Sequence, residues 1–188
     1  MIKSVWKLKN CLIKRRMQRV KGGKRILKEL PQKPQTTSLV VGTDIYGRDD
    51  DKELVFDWMT SNKNNSNQPS ILSIVGMGGV GKTTLAQHVF NDPKVDEAKF
   101  VVKAWVFVSD EFDVFKISRA ILEAVTKAID DSRDLEMVHT KLKEELTGKK
   151  FLLVLDDVWN ENQPKWEEVR KPLAFGAQGS RILVTTRT

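Results

Sequence analysis

Short apolar runs alternate with stretches of helical spacing along this chain from residue 70 onward. Residues 71–75 make a brief strand-like run after a polar, Asn-rich segment that ends in Pro69 and Ser70. Residues 82–90 place Leu85, Ala86, Val89 and Phe90 on one side of a helix, which Asn91-Asp92-Pro93 stops. Residues 101–108 are rich in β-branched and aromatic side chains and predict a second strand. Two further helices follow. Residues 115–129 repeat apolar positions at Ile117, Ala120, Ile121, Ala124, Val125 and Ala128. Residues 135–146 do the same through Leu135, Val138, Leu142 and Leu146, with Gly148 closing the helix. Residues 151–155 are continuously apolar, the mark of a parallel strand buried on both faces. A short helix over residues 164–172 and a loop with Gly176 and Gly179 lead to a fourth strand, residues 181–186. Strand, helix, strand, helix predicts a three-layer α/β fold with a mostly parallel sheet and right-handed crossovers.

Composition changes this picture only at the N-terminus. The chain has 188 residues and a formal charge of +7, but residues 1–35 carry twelve basic side chains and a single acid, Glu29. The remaining 153 residues hold 20 basic and 24 acidic side chains, so a basic helical or linker arm precedes a mildly acidic body. Lys14-Arg15-Arg16 and Lys24-Arg25 are blocks that nucleic acid or an anionic membrane surface would attract. A solvated linker or helix remnant accounts for them more simply, since only Trp6 interrupts the charges and no aromatic ladder is available for stacking bases. Pro31, Pro34 and Thr36-Thr37-Ser38 then mark a linker into the body. Cys11 is the sole cysteine, which excludes an intrachain disulfide framework and suits a reducing, cytoplasmic setting. No apolar run approaches the roughly 20 residues of a spanning helix.

The chemistry is concentrated after the first strand. Gly76-Met77-Gly78-Gly79-Val80-Gly81-Lys82-Thr83 matches G-x-x-x-x-G-K-[ST] at every fixed position. Glycines let successive amides curl inward onto a polyphosphate, and the helix behind them adds the positive end of its dipole. Lys82 supplies a point charge for β- and γ-phosphates, and the Thr83 hydroxyl is a Mg²⁺ ligand candidate. Asp156 and Asp157 leave the apolar third strand 74 residues after Lys82. Asp156 is the metal-side candidate, and Asp157 is placed to orient or deprotonate an attacking water. Arg187 follows the fourth strand, where its guanidinium can sense a terminal phosphate. His88 and His139 lie 51 residues apart with no partner ligands nearby, which argues against zinc.

Five motifs in order, Ile45-Tyr46-Gly47-Arg48, GMGGVGKTT from Gly76 to Thr84, KAWVFVSDEFDV from Lys103, KFLLVLDDVW from Lys150 and GSRILVTTR from Gly179, resemble the NB-ARC domain of plant coiled-coil, leucine-rich-repeat disease-resistance proteins of the RPP13-like group. The resemblance spans residues 36–188 and implies a P-loop NTPase fold. It also implies an ADP/ATP switch: ADP-bound at rest, ATP-bound when active, reset by slow Mg²⁺-dependent hydrolysis. Carried over residue by residue, Gly76, Met77, Gly78, Gly79, Val80, Gly81, Lys82, Thr83 and Thr84 hold the phosphates. Thr83 and Asp156 serve the metal, Asp157 assists hydrolysis, Arg187 reads the γ-phosphate, and Ile45, Tyr46, Gly47 and Arg48 meet the base and its neighbourhood. Against that family the chain reads as a C-terminally truncated domain without the ARC subdomains and repeats that are its partners there. The resemblance further implies a homo-oligomer of the full-length family when ATP-bound. The expectation is that the fourth strand loses a neighbour, with weak nucleotide affinity and poor solubility as the result. The alternatives are a P-loop phosphotransferase or active ATPase, for which no acceptor site or lid is visible, and a nucleic-acid-binding protein acting through the arm.

Overall fold

The computed structural model describes residues 35–40, 47–61, 68–108, 112–159 and 162–187. The basic arm up to residue 34, and with it Ile45 and Tyr46, lies outside the described residues. In chain order the elements are α1 (Asp49–Thr60), β1 (Ser70–Val75), α2 (Lys82–Asn91), α3 (Lys94–Glu97), β2 (Val102–Phe107), α4 (Val114–Thr126) and α5 (Leu135–Leu146). They continue with β3 (Phe151–Val158), α6 (Gln163–Arg170), a 3-10 turn (Pro172–Phe175) and β4 (Arg181–Thr186). Two expected spans, α5 and β4, agree residue for residue with the observed ones.

The described strands form one sheet of four, all parallel, in the order β1-β4-β3-β2. This corrects the expectation for the fourth strand. β4 is internal, flanked by β1 and β3, and the open edges are β1 and β2. The physical reason is the direction of the crossovers. The chain leaves β1 for the far side of the sheet and returns strand by strand, so β4 fills the slot beside β1.

Alternation along β3 divides the core. Leu152 and Val154, with Leu183 of β4, face Val55, Phe56 and Met59 of α1 and Leu85, Ala86 and Val89 of α2. Phe151, Leu153 and Leu155, with Ile182 and Val184, face Ile117 and Ile121 of α4 and Val138 and Leu142 of α5. Both faces are covered, which is why residues 151–155 of β3 read as an unbroken apolar run. Each such fully buried leucine contributes about 1.5–3 kcal/mol of burial free energy.

Side-chain caps set the helix starts. Asp113 accepts from the Lys116 amide at 2.9 Å, Asp134 from the Met137 amide at 2.9 Å, and Asn162 from the Lys165 amide at 3.1 Å. α4 ends at Thr126, three residues before its expected end, because Lys127 takes the left-handed conformation with φ 57°. Ala128 is therefore not on the buried face, and Ile129 is 92% exposed. α1 was not foreseen. Its first turn is Asp49-Asp50-Asp51, which the helix dipole favours, and its apolar side is only Val55, Phe56 and Met59.

Candidate functional site

The four carboxyl ends of the parallel strands gather the candidate residues at one end of the sheet. β1 delivers residues 76–81 as a curled loop, with Gly79 at φ +81° and Gly81 at φ +82°. Both angles lie in the left-handed region that side chains rarely adopt, so glycine is needed there. Among the described residues, no protein acceptor takes the main-chain amides of residues 77–84. α2 begins at Lys82 with no side-chain cap, so the amides of its first turn are also open. This is the arrangement an anion requires.

Lys82 is 7% exposed, and its ammonium donates to the carbonyls of Gly76 and Met77, each at 2.9 Å. Burial, and next the Arg187 guanidinium, pushes its pKa below the ordinary lysine value, against the pull of Asp157 and Asp156. The site therefore holds a partly desolvated cation bonded only to neutral carbonyls, which phosphate oxygens can displace.

Asp156 is fully buried within β3, not at its end, because the strand runs on to Val158. Its carboxylate accepts from Thr83 at 2.9 Å, from Thr36 at 2.6 Å and from Thr185 of β4. The Thr83 hydroxyl beside a buried carboxylate is a hard oxygen pair, and it fits Mg²⁺. Asp157 next to it is turned by an irregularity in the sheet. Leu155 pairs with Val184 and Val158 with Thr186, so β3 spends one residue more than β4 across this step. Asp157 takes φ 57° at that bulge, and its amide donates to Thr185 Oγ1 at 2.9 Å. The bulge thus aims two consecutive carboxylates at one site, which a regular strand would send to opposite faces.

Arg187 closes the ring. Its Nε lies 3.5 Å from Asp157 Oδ1, and a Cβ on Gly78 would stand 3.3 Å from its Nη1. Arg48 approaches from the other side, donating to the Val80 carbonyl at 3.0 Å and pairing with Asp51 at 2.6 Å. Gly47 makes the turn before it at φ +70°. A cavity of about 380 Å³ lies among Lys82, Thr83, Asp157 and Arg187. A larger one, about 500 Å³, sits at the opposite end of the sheet beside Pro69 and Leu173, remote from these groups. We place the site in the smaller cavity, because that one holds the open amides and the ionisable side chains.

Sequence reasoning missed three participants. Residues 36–38, read as linker, are fastened along α2: Gln87 donates to the Thr37 carbonyl and Asn91 to the Ser38 carbonyl, each at 2.6 Å. Thr36 thereby reaches Asp156, 120 positions away, and nothing local could have shown it. Thr185 and Trp159 were visible only as parts of motifs.

A family model described as the NB-ARC domain matches residues 48–188. This chain belongs to the NB-ARC family. It is 48% identical over 159 residues to the RPP13-like protein 1 of Arabidopsis thaliana, a protein named for disease resistance, covering 84% of this chain and 15% of that one. It is 44% identical over 154 residues to Disease resistance protein RGA2 of Solanum bulbocastanum, covering 81% of this chain and 16% of the relative. Disease resistance RPP13-like protein 4 of Arabidopsis thaliana is 39% identical over 147 residues, with 78% and 16% covered. The chain thus spans about 15% of the length of the curated relatives it matches. An NB-ARC domain is the nucleotide-binding domain of plant disease resistance proteins. Among the described residues, no helix of this NB-ARC domain is long and apolar enough to cross a membrane.

Proposed function

We propose that residues 36–188 act as the ADP/ATP-binding switch module of a plant immune receptor in the cytoplasm, with residues 1–35 as a basic arm or linker. The observation that supports this most is the curled loop, whose amides have no protein acceptor and which is set between the Lys82 ammonium and the Thr83–Asp156 pair. The amides of residues 77–84 cradle the diphosphate, while Lys82 exchanges its carbonyl partners for β- and γ-phosphate oxygens. Thr83 and Asp156 hold Mg²⁺, which when bound neutralises charge on those phosphates. Asp157 orients the attacking water, and Arg187 makes the charge-assisted contact that only a γ-phosphate offers. Arg48, with Ile45 and Tyr46, meets the base side.

Switching energy then comes from the different contacts of di- and triphosphate, not from turnover. A slow ATPase is the most this arrangement calls for. ARC and leucine-rich-repeat regions, and homo-oligomers in the ATP state, are the partners of the longer protein.

The test is titration of the purified chain with ADP and GDP, with and without Mg²⁺, beside Lys82→Ala. The wild-type chain is expected to bind ADP selectively, and Lys82→Ala to lose it. Equal nucleotide binding by the two proteins would sink the assignment.

A further inference from the structure

Trp159 follows β3 at the site end of the sheet, is 40% exposed and contributes to neither core cluster. A large indole left half in water outside the core calls for a reason, and its contacts supply one. The Arg187 guanidinium lies over the ring with Cζ 4.3 Å from its centroid. The indole Nε1 donates to Asp157 Oδ1 at 2.8 Å, the same oxygen that stands 3.5 Å from Arg187 Nε. The guanidinium also lies close to Gly78, its Nη1 and Cζ 3.3–3.4 Å from where a Cβ would be. Arg187 thus meets both an aromatic ring and a bare glycine at the mouth of the phosphate loop.

The Asp157–Arg187 ion pair is long, and its acceptor oxygen is already engaged by the indole. Lys82 also lies near enough for Arg187 to depress its pKa, so the two cations repel. The ring adds to Asp157 in offsetting that repulsion and restrains the guanidinium, because arginine over an aromatic face surrenders little hydration and few rotamers.

We propose that Trp159 is a positioning residue: its indole holds Arg187 beside Gly78, and so sets how strongly the site distinguishes nucleoside triphosphate from diphosphate. This rests on the reading of Arg187 as the γ-phosphate sensor. Preorganising the guanidinium removes an ordering cost that triphosphate binding alone would otherwise bear. Diphosphate, which does not reach Arg187, is indifferent to it.

The experiment titrates ADP and a non-hydrolysable ATP analogue, both with Mg²⁺, into wild-type, Trp159→Ala, Trp159→Phe, Arg187→Ala and Trp159→Ala/Arg187→Ala chains. Trp159→Ala is expected to weaken the ATP analogue relative to ADP by about three- to tenfold, the size of a partly desolvated cation–π contact. Trp159→Phe, which keeps a ring without the N–H, should retain most of the wild-type ratio. In the Arg187→Ala background, Trp159→Ala should add nothing. If Trp159→Ala fails to fold, seen as loss of ADP binding and of the melting transition, Trp159→Leu replaces it with the same expected ratio. An unchanged ratio, or one shifted toward triphosphate, overturns the proposal, as does an effect of Trp159→Ala that persists without Arg187. A wild-type chain that binds neither nucleotide would instead overturn the phosphate-loop reading, and this inference with it. If Arg187→Ala leaves the ratio at the wild-type value, only the sensor role and this clamp fall.

Discussion

Two cations are buried among the described residues, and they sit at opposite ends of the same sheet. Lys82 is 7% exposed beyond the end of β1, and Arg181 is 2% exposed at the start of β4. Burial lowers the pKa of each. Each is bonded to two main-chain carbonyls: Gly76 and Met77 for Lys82, Trp58 and Ser61 for Arg181. What differs is whose carbonyls these are. Those on Arg181 belong to the last turn of α1 and the residue after it, where a helix leaves carbonyls without partners, and the guanidinium also lies over the Trp58 ring, 5.5 Å from its centroid. Those on Lys82 belong to a loop beside a cavity, with open amides on one side and two carboxylates on the other. The first cation is a cap that fastens α1 to the sheet. The second is held in reserve by partners that another anion can replace. Burial of charge does not distinguish structure from function here, but the replaceability of its partners does.

The comparison is broken most readily at Arg181. Arg181→Ala removes the donor to two carbonyls and the cation over the Trp58 ring, for an expected stability loss of about 3 kcal/mol. Urea denaturation reads this directly, and ADP affinity of the folded fraction should stay as it was. A loss under about 1 kcal/mol would mean that water replaces the guanidinium and that the cap is dispensable.

Lys82 should give the opposite pattern. Lys82→Met keeps the stem's packing while removing a buried ammonium, so the ligand-free chain should be as stable as wild type or more stable. Nucleotide affinity should fall roughly 10- to 100-fold, the worth of a charge-assisted contact. The pH dependence sharpens the contrast. The folded-state pKa of Lys82 lies below its unfolded value near 10.5. In the window just below 10.5 the unfolded chain therefore binds more protons, and this group's contribution to stability rises with pH. ADP affinity runs the other way in the same window, because the ammonium that meets the phosphates is being lost. Opposed slopes in wild type, both flattened in Lys82→Met, are the expected result. Parallel slopes would remove Lys82 from the phosphate contact.

The parts of this fold that were legible in the sequence are those decided within a dozen residues. The loop at 76–83 carries its own conformational demand in its glycines, and α5 and β4 carry complete apolar periods between clear stops. What stayed hidden is decided at a distance. α1 buries a narrow stripe, Val55, Phe56 and Met59, so its 3.6-residue period is faint. The bulge that turns Asp157 exists only in the pairing of β3 with β4. Strand order is likewise not local, which is how β4 came to be expected at an edge. Arg181 reads as an ordinary strand-start arginine until α1 is docked onto it. The candidate site shows the same division: its glycines, Lys82 and Thr83 are written in one segment, while Thr36 arrives from 120 residues away.

Thr36 gives the smallest effect, and it tests whether replaceable partners extend beyond Lys82. Its hydroxyl donates to Asp156 Oδ2 at 2.6 Å, the carboxylate that Thr83 also uses. A cation arriving between Thr83 and Asp156 competes for that oxygen, so this hydrogen bond has to be released or rearranged. Thr36→Val removes it without changing the shape of the side chain. The Mg²⁺ concentration that half-saturates ADP binding is therefore expected to drop by roughly two- to fivefold, the net worth of one such bond. The metal-free chain should lose protection from hydrogen exchange over residues 36–40 while its cores keep theirs. If the Mg²⁺ midpoint rises instead, Thr36 supports the metal and does not compete with it. Asp156 would then belong with Arg181, among groups whose partners are permanent.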